Sequence, residues 1–170
     1  MKISILLPYK ENYSPTYPGA VSLFVDSTTK ISKFKNEITV YGFTNLKKKL
    51  TGDYINIPLP RINLFKSQSK EYVSKFIQLH QSKKTDIIEV HNRPNYVDYL
   101  KKINTKIVLY FHNDPISMIG SKSTSERENL LYTCSKIIFN SEWSKKRFLK
   151  NLNSFYHKSS KLEVIHQSIN

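Results

Sequence analysis

Asp86–Pro115 reads DIIEVHNRPNYVDYLKKINTKIVLYFHNDP. Two runs within it, Asp86–His91 and Lys106–His112, are dense in β-branched and aromatic residues, and each ends on a histidine followed by an asparagine. Between them Pro94 stands where the first turn of a helix accepts proline, and residues 95–102 carry that helix. Strand, helix and strand in this order imply two parallel strands joined by a right-handed crossover. Lys106–His112 is the most β-like run of the chain and is expected at the centre of a sheet.

The same alternation extends outward in both directions. Toward the N-terminus, Lys2–Pro8 is a short apolar run closed by proline, and residues 9–19 are turn-rich. Val21, Phe24, Val25, Thr28 and Ile31 then recur at helical spacing. Glu37–Gly42 and Tyr54–Ile57 read as the second and third strands, with Lys47, Lys48 and Lys49 exposed between them, and Ser69 to His80 reads as a long amphipathic helix. Toward the C-terminus, Ser125-Glu126-Arg127-Glu128 fits a capping box opening a helix through Cys134, followed by the strand Lys136–Asn140. Ser141 caps a helix over 142–152, and Lys161–Ile165 is the last strand. The expected fold is α/β, a doubly wound, mostly parallel sheet of about six or seven strands with helices on both faces. No internal repeat is present, and 170 residues fit a single domain.

Composition narrows the function classes. The chain carries 27 Lys plus Arg against 13 Asp plus Glu, a formal charge of +14, so an anionic partner is expected. Hydrophobic residues at 39% suffice for a core. Four of the cations are arginines, Arg61, Arg93, Arg127 and Arg147, which makes most of the charge a lysine coat rather than a set of bidentate anion readers. The single cysteine, Cys134, excludes an internal disulfide and any metal site built on paired cysteines. No apolar run is long enough to cross a bilayer and the first residues lack a signal-peptide pattern, so a cytoplasmic location is expected. The four glycines, Gly19, Gly42, Gly52 and Gly120, match neither a dinucleotide-binding fingerprint nor a phosphate-binding loop of nucleoside triphosphatases. Nothing pairs carboxylates as a conventional glycosidase would, and no Asp-x-Asp or His-x-His pair points to a metal.

In doubly wound sheets ligands gather beyond the carboxyl ends of the strands, so the residues just after each strand are the site candidates. Gly19 and Ala20 precede the first helix and either let anionic oxygens approach its N-terminus or simply end a turn. His91, Asn92 and Arg93 can together hold a hydroxylated or phosphorylated ligand, or Asn92 can cap the next helix while Arg93 is solvated. His112, Asn113 and Asp114 form a cluster suited to sugar hydroxyls, with a structural histidine as the plainer reading. Ser141 and Glu142 open a helix, where capping explains most of the pattern, and Trp143 reads as a core or surface-anchor residue.

The runs DIIEVHNRPNYVDYL, KIVLYFHNDP and KIIFNSEWSKKRFL make residues 86–149 resemble the N-terminal domain of the group 1, or family 4, glycosyltransferases. That family has the GT-B arrangement of two Rossmann-like domains, and the resemblance is to its spore-coat and polysaccharide-assembly branch. GAVSLFVDSTTK, ITVYG and VIHQSIN extend it more weakly over the rest of the chain. The resemblance implies a single Rossmann-like acceptor-side domain over 1–170, with the C-terminal domain that binds the nucleotide sugar absent, and therefore no turnover by this piece alone. The whole enzyme would transfer a sugar from a nucleotide diphosphate sugar to a glycan or lipid-linked acceptor, with retention, in polysaccharide assembly. No cofactor and no metal are expected.

By the same resemblance, His112 matches the histidine that faces the transferred sugar. Gly19 and Ala20 match the loop near the donor diphosphate, although Ala20 replaces a second glycine. Asn92, Arg93, Asn113 and Asp114 would line the acceptor side, and Ser141 and Glu142 the interdomain cleft. The basic balance would let such an enzyme sit peripherally on an anionic inner membrane surface. A basic nucleic-acid-binding module and a non-enzymatic scaffold are the alternatives, but no base-reading helix or motif supports the former, so no nucleic acid is expected.

Overall fold

The computed structural model describes residues 1–50, 52–58 and 67–167. VIHQSIN therefore runs past the described residues from position 168. The backbone clusters into two compact units, Met1–Glu89 and a second beginning at Val90. Seven strands form one sheet in the order β3-β2-β1-β4-β5-β6-β7. They are β1 Ile3–Leu6, β2 Ile38–Gly42, β3 Asp53–Asn56, β4 Ile87–His91, β5 Lys106–Phe111, β6 Lys136–Phe139 and β7 Leu162–Val164. β1 with β2, β2 with β3, β5 with β6 and β6 with β7 pair in parallel, as a sheet built from crossovers requires. This is the doubly wound, Rossmann-like arrangement that the strand and helix alternation predicts.

In the first unit, α1 (Ala20–Ile31) and α2 (Gln68–Gln81) join the strands. Ile5, Leu7, Tyr13, Val21, Val25, Ile38 and Val40 form one buried cluster, because apolar side chains of β1 and β2 meet the inner stripe of α1. Tyr72 on α2 donates its hydroxyl to the Leu7 carbonyl at 3.1 Å, so the end of β1 is tied to a helix by a buried hydrogen bond.

The second unit contains α3 (Val97–Leu100), α4 (Thr124–Thr133) and α5 (Glu142–Leu149). Phe111 of β5, Phe139 of β6 and Phe148 of α5 touch with ring centroids 5.3–5.7 Å apart, which fastens α5 over two strands immediately below their tips. Residues 94–102 form less helix than expected: a 3₁₀ turn at Pro94–Tyr96 leads into the four-residue α3. Proline suits that first turn, but the next strand begins at Lys106 and leaves little length for more.

Two local expectations are corrected. The capping box of α4 is Ser123 with Glu126, two residues before the pair read from the sequence. Ser123 Oγ accepts the Glu126 N–H at 3.2 Å and Glu126 Oε2 accepts the Ser123 N–H at 2.8 Å. The earlier register wins because Arg127, buried, donates to the carbonyls of Ser121 and Lys122 and draws the incoming chain against the helix start. Gly120 makes this turn at φ +93°, and a Cβ there would lie 2.5 Å from the Asn95 nitrogen. The second correction concerns Asn92, which caps no helix: the N-cap of the following turn is Arg93.

Candidate functional site at the strand tips

In the second unit β4, β5 and β6 end at His91, Phe111 and Phe139, and the residues next in line are Asn92, His112 and Asn140. Asn92 is buried and left-handed, φ +51°, a conformation that asparagine tolerates better than most residues. Its N–H donates to the Tyr110 carbonyl at 2.9 Å, while its Oδ1 accepts the His112 N–H at 2.8 Å. On the other flank, the Asn140 N–H donates to the Phe111 carbonyl and its Nδ2 donates to the His112 carbonyl at 2.7 Å. Ser144 Oγ holds Asn140 Oδ1 at 2.7 Å. A side-chain amide both donates and accepts, so the two asparagines extend the ladder one residue past β5 and engage both backbone groups of His112.

The His112 ring is held as firmly as its backbone. Nε2 lies 2.8 Å from His91 Nδ1, and Nδ1 lies 2.5 Å from the Gln167 side-chain nitrogen. Tyr110 lies against both imidazoles, with centroids 4.5 Å from His112 and 5.5 Å from His91. Its hydroxyl donates to the Ile165 carbonyl at 3.1 Å, two residues before Gln167. Burial, with His91 alongside, pushes the His112 imidazole from 6.5 down to about 3, so it is neutral at physiological pH.

The other expected residues divide into engaged and open. Arg93 donates to the Asn92 carbonyl at 2.9 Å. Asp114 accepts the Ile116 N–H and caps a 3₁₀ turn, and both its oxygens receive the Arg147 guanidinium, at 3.2 and 2.8 Å. That fork holds its carboxyl below the ordinary carboxylate range. The carboxylate thus serves an ion pair, and within the cluster it is Asn113 whose side chain is exposed. Ser141 caps α5 through the Ser144 N–H, and Glu142 is exposed in its first turn. Trp143 is 58% exposed with Arg147 over its ring, a surface position rather than a core one.

In the first unit, Gly19 is the N-cap of α1 and has no side chain with which to cap it. Glu11 does so from the preceding loop: its Oε1 accepts the Ser22 N–H at 3.1 Å. A Cβ on Gly19 would stand 1.9 Å from that oxygen, so glycine is required for the carboxylate to reach the helix. Ala20 is exposed. The approach that the sequence reserves for an external anion is taken here by an internal one.

Asn140, Gln167, Arg147 and Glu11 lie outside the residues that the sequence singles out, whereas His91 belongs to the run His91-Asn92-Arg93. Asn140 does carry a signal, since it follows β6 as His112 follows β5. Gln167, Arg147 and Glu11 act over chain separations that periodicity does not report. Among the described residues no group of His, Cys, Asp and Glu can hold a metal ion, and no helix is long and apolar enough to cross a membrane. An open groove of about 850 Å³ lies apart from the tips, lined by Tyr132, Phe155, Tyr156 and Lys158 among others.

No family model and no curated protein matches the chain. Solved structures do. HepE from Anabaena in complex with UDP-glucose superposes over 100% of this chain, TM-score 0.64, at 13% identity. Sucrose-phosphate synthase from Thermosynechococcus elongatus matches 99% of the chain, TM-score 0.58, at 11% identity, with 91% of that structure covered. UDP-GlcNAc 2-epimerase from Methanocaldococcus jannaschii matches 97%, TM-score 0.52, at 12% identity. The chain spans 45% of the length of HepE and of the epimerase. The likeness is one of fold: a doubly wound, Rossmann-like α/β unit shared with proteins whose names carry nucleotide sugars or sugar phosphates.

Proposed function

We propose that this chain is the acceptor-side half of a GT-B glycosyltransferase, of the group 1 or family 4 type. The complete enzyme moves a sugar with retention from a nucleotide diphosphate sugar to a glycan or lipid-linked acceptor. The observation that carries this reading is the superposition of the entire chain on less than half of a protein bound to UDP-glucose. The remaining half of such an enzyme supplies the nucleotide site, and this half supplies the His112 tip.

Departure of a nucleoside diphosphate leaves positive charge on the anomeric carbon. A neutral imidazole beside it adds no repulsion and orients a sugar hydroxyl, while the Asn92 and Asn140 bridges hold the tip in place before the sugar arrives. Asn113, exposed, and Arg93, half-buried, face the acceptor side in this reading, with Ser141 and Glu142 at the interdomain cleft. A donor diphosphate reaches the N-terminus of α1 only when the Glu11 carboxylate swings away from Ser22, since two anions do not share one helix end. The charge of +14 supports a peripheral seat on anionic lipid, worth about 1 kcal/mol per cation near the surface. No metal takes part in this scheme.

The test is His112→Ala in the full-length protein, with product formation followed at saturating donor over a panel of nucleotide diphosphate sugars. Turnover is expected to fall about 100-fold, the usual cost of losing one preorganised polar contact to the reacting sugar. Unchanged turnover removes His112 from the mechanism, and no transfer by the parent protein with any donor and acceptor rejects the reading.

A further inference from the structure

Trp143, second in α5, stands three residues after Asn140, whose Nδ2 holds the His112 carbonyl. Three residues of chain span at most about 11 Å between Cα atoms, so this tryptophan is carried close to the β5 tip. Its ring is braced. The Arg147 guanidinium, one helical turn along, lies over one face at 5.6 Å from the centroid. That guanidinium is clamped in turn by both oxygens of Asp114, two residues past His112, at 3.2 and 2.8 Å. Asn113, between His112 and Asp114, has an exposed side chain, so an open amide and an open indole are tied to one strand tip. With one face under Arg147, an indole that is still 58% exposed turns its other face to solvent. The other apolar residues of α5, Phe148 and Leu149, are buried, whereas Glu142 and Lys146 are exposed like the indole. One flat apolar plane among polar groups matches a sugar ring, whose axial C–H bonds form an apolar face fringed by hydroxyls. A bilayer or an apolar protein face would call for a wider apolar surface than a single ring.

We propose that Trp143 is the platform of a saccharide subsite: a pyranose ring of the acceptor stacks on the open face of the indole, which Arg147, held by Asp114, keeps in place. The ligand class is a glycan whose rings present a face of axial hydrogens, as gluco-configured sugars do. That the stacked sugar belongs to the acceptor rests on the transferase reading; that it is a saccharide does not. A contact made away from the reacting atoms is the same before and during transfer, so it acts on the acceptor KM and leaves kcat alone.

The full-length protein is titrated with cellotetraose, chitotetraose and mannotetraose, followed by tryptophan fluorescence and by calorimetry, with Trp143→Phe identifying the emission of this indole. At least one of the three is expected to shift that emission, to bind about tenfold more weakly to Trp143→Ala and to bind Trp143→Phe, which keeps a ring, within about twofold of the parent. Arg147→Met frees the indole and is expected to weaken binding about threefold; unchanged binding overturns the part given to Arg147. In transfer assays Trp143→Ala is expected to raise the acceptor KM about tenfold with kcat and the donor KM unchanged. No Trp143-dependent signal with any of the three glycans, or equal affinity in Trp143→Ala, overturns the proposal. So does an emission that responds to phosphatidylglycerol vesicles and not to glycans, which makes the indole a membrane anchor. Trp143 is exposed, so its variants should match the parent in urea midpoint; if Arg147→Met does not fold, the two Trp143 variants decide. Glycan stacking on Trp143 in a protein that transfers no sugar sinks the functional reading alone, and transfer with an unchanged acceptor KM in Trp143→Ala sinks this inference alone.

Discussion

The loop after β1 and the tip of β5 meet the same demand in different ways. Each follows a parallel strand and leaves backbone groups without a ladder partner. At the β1 loop the free N–H of Ser22 is met by a carboxylate, Glu11, reaching across a glycine. At the β5 tip the N–H and carbonyl of His112 are met by two neutral amides, Asn92 and Asn140. A charge at a helix end is displaceable by another anion and weakens with salt, whereas a neutral amide bridge is insensitive to salt and holds by its shape. The first arrangement suits a place that must open for a charged ligand, the second a place that must not move.

The largest effect expected of this contrast is at Asn92. Replacing it with alanine leaves the His112 N–H without its partner and forces a left-handed backbone on a residue that resists it, costing about 3 kcal/mol in urea unfolding. Asn92→Gly relieves the backbone and not the bridge, so its cost is about 2 kcal/mol. Equal losses for both would mean that the bridge alone matters.

The acid response of the same tip comes next. The unfolded chain takes up the His112 proton near 6.5 and the folded one not until about 3, so between these values each step down in pH favours unfolding. The contribution is complete above 6.5 and is diminished by about 2 kcal/mol at pH 5, a loss that His112→Gln should abolish when urea midpoints are compared across this range. A parent protein as acid-sensitive as that variant would show that the ring is not neutral in the fold.

The smallest effect belongs to the β1 loop. Glu11→Ala removes the cap of α1 at about 1 kcal/mol, while Glu11→Gln keeps the acceptor and loses only the charge, about 0.5 kcal/mol. The difference between glutamate and glutamine should vanish in about 1 M salt. A cost at Glu11 exceeding that at Asn92 would reverse the comparison.

Much of the fold was legible because its signals are local. The β-branched runs, the prolines that close them and the caps placed each strand to within a few residues, and Ser141 opens α5 as its position implies. Ambiguity entered where a local pattern occurs twice. Ser123-Thr-Ser-Glu126 and Ser125-Glu-Arg-Glu128 both satisfy the spacing of a capping box, and the choice between them fell to Arg127 and its carbonyl partners. The strand-tip rule placed His112 and Asn92 just beyond their strands, and of the two readings of Asn92 the structure excludes the helix cap. A good N-cap residue and a left-handed bridging residue have the same composition, and only the neighbouring strand tells them apart.

The sequence by itself determined the alternation of strands and helices, the parallel sheet it implies and the residues that stand at its tips, since each depends on spacing within a few turns of chain. The tertiary structure decided which tips speak to one another: His91 with His112, 21 residues apart, Asp114 with Arg147, 33 apart, and Gln167 with His112, 55 apart. A hydrogen bond forms only when both partners are in place, and the crossovers that bring them together separate them widely along the chain.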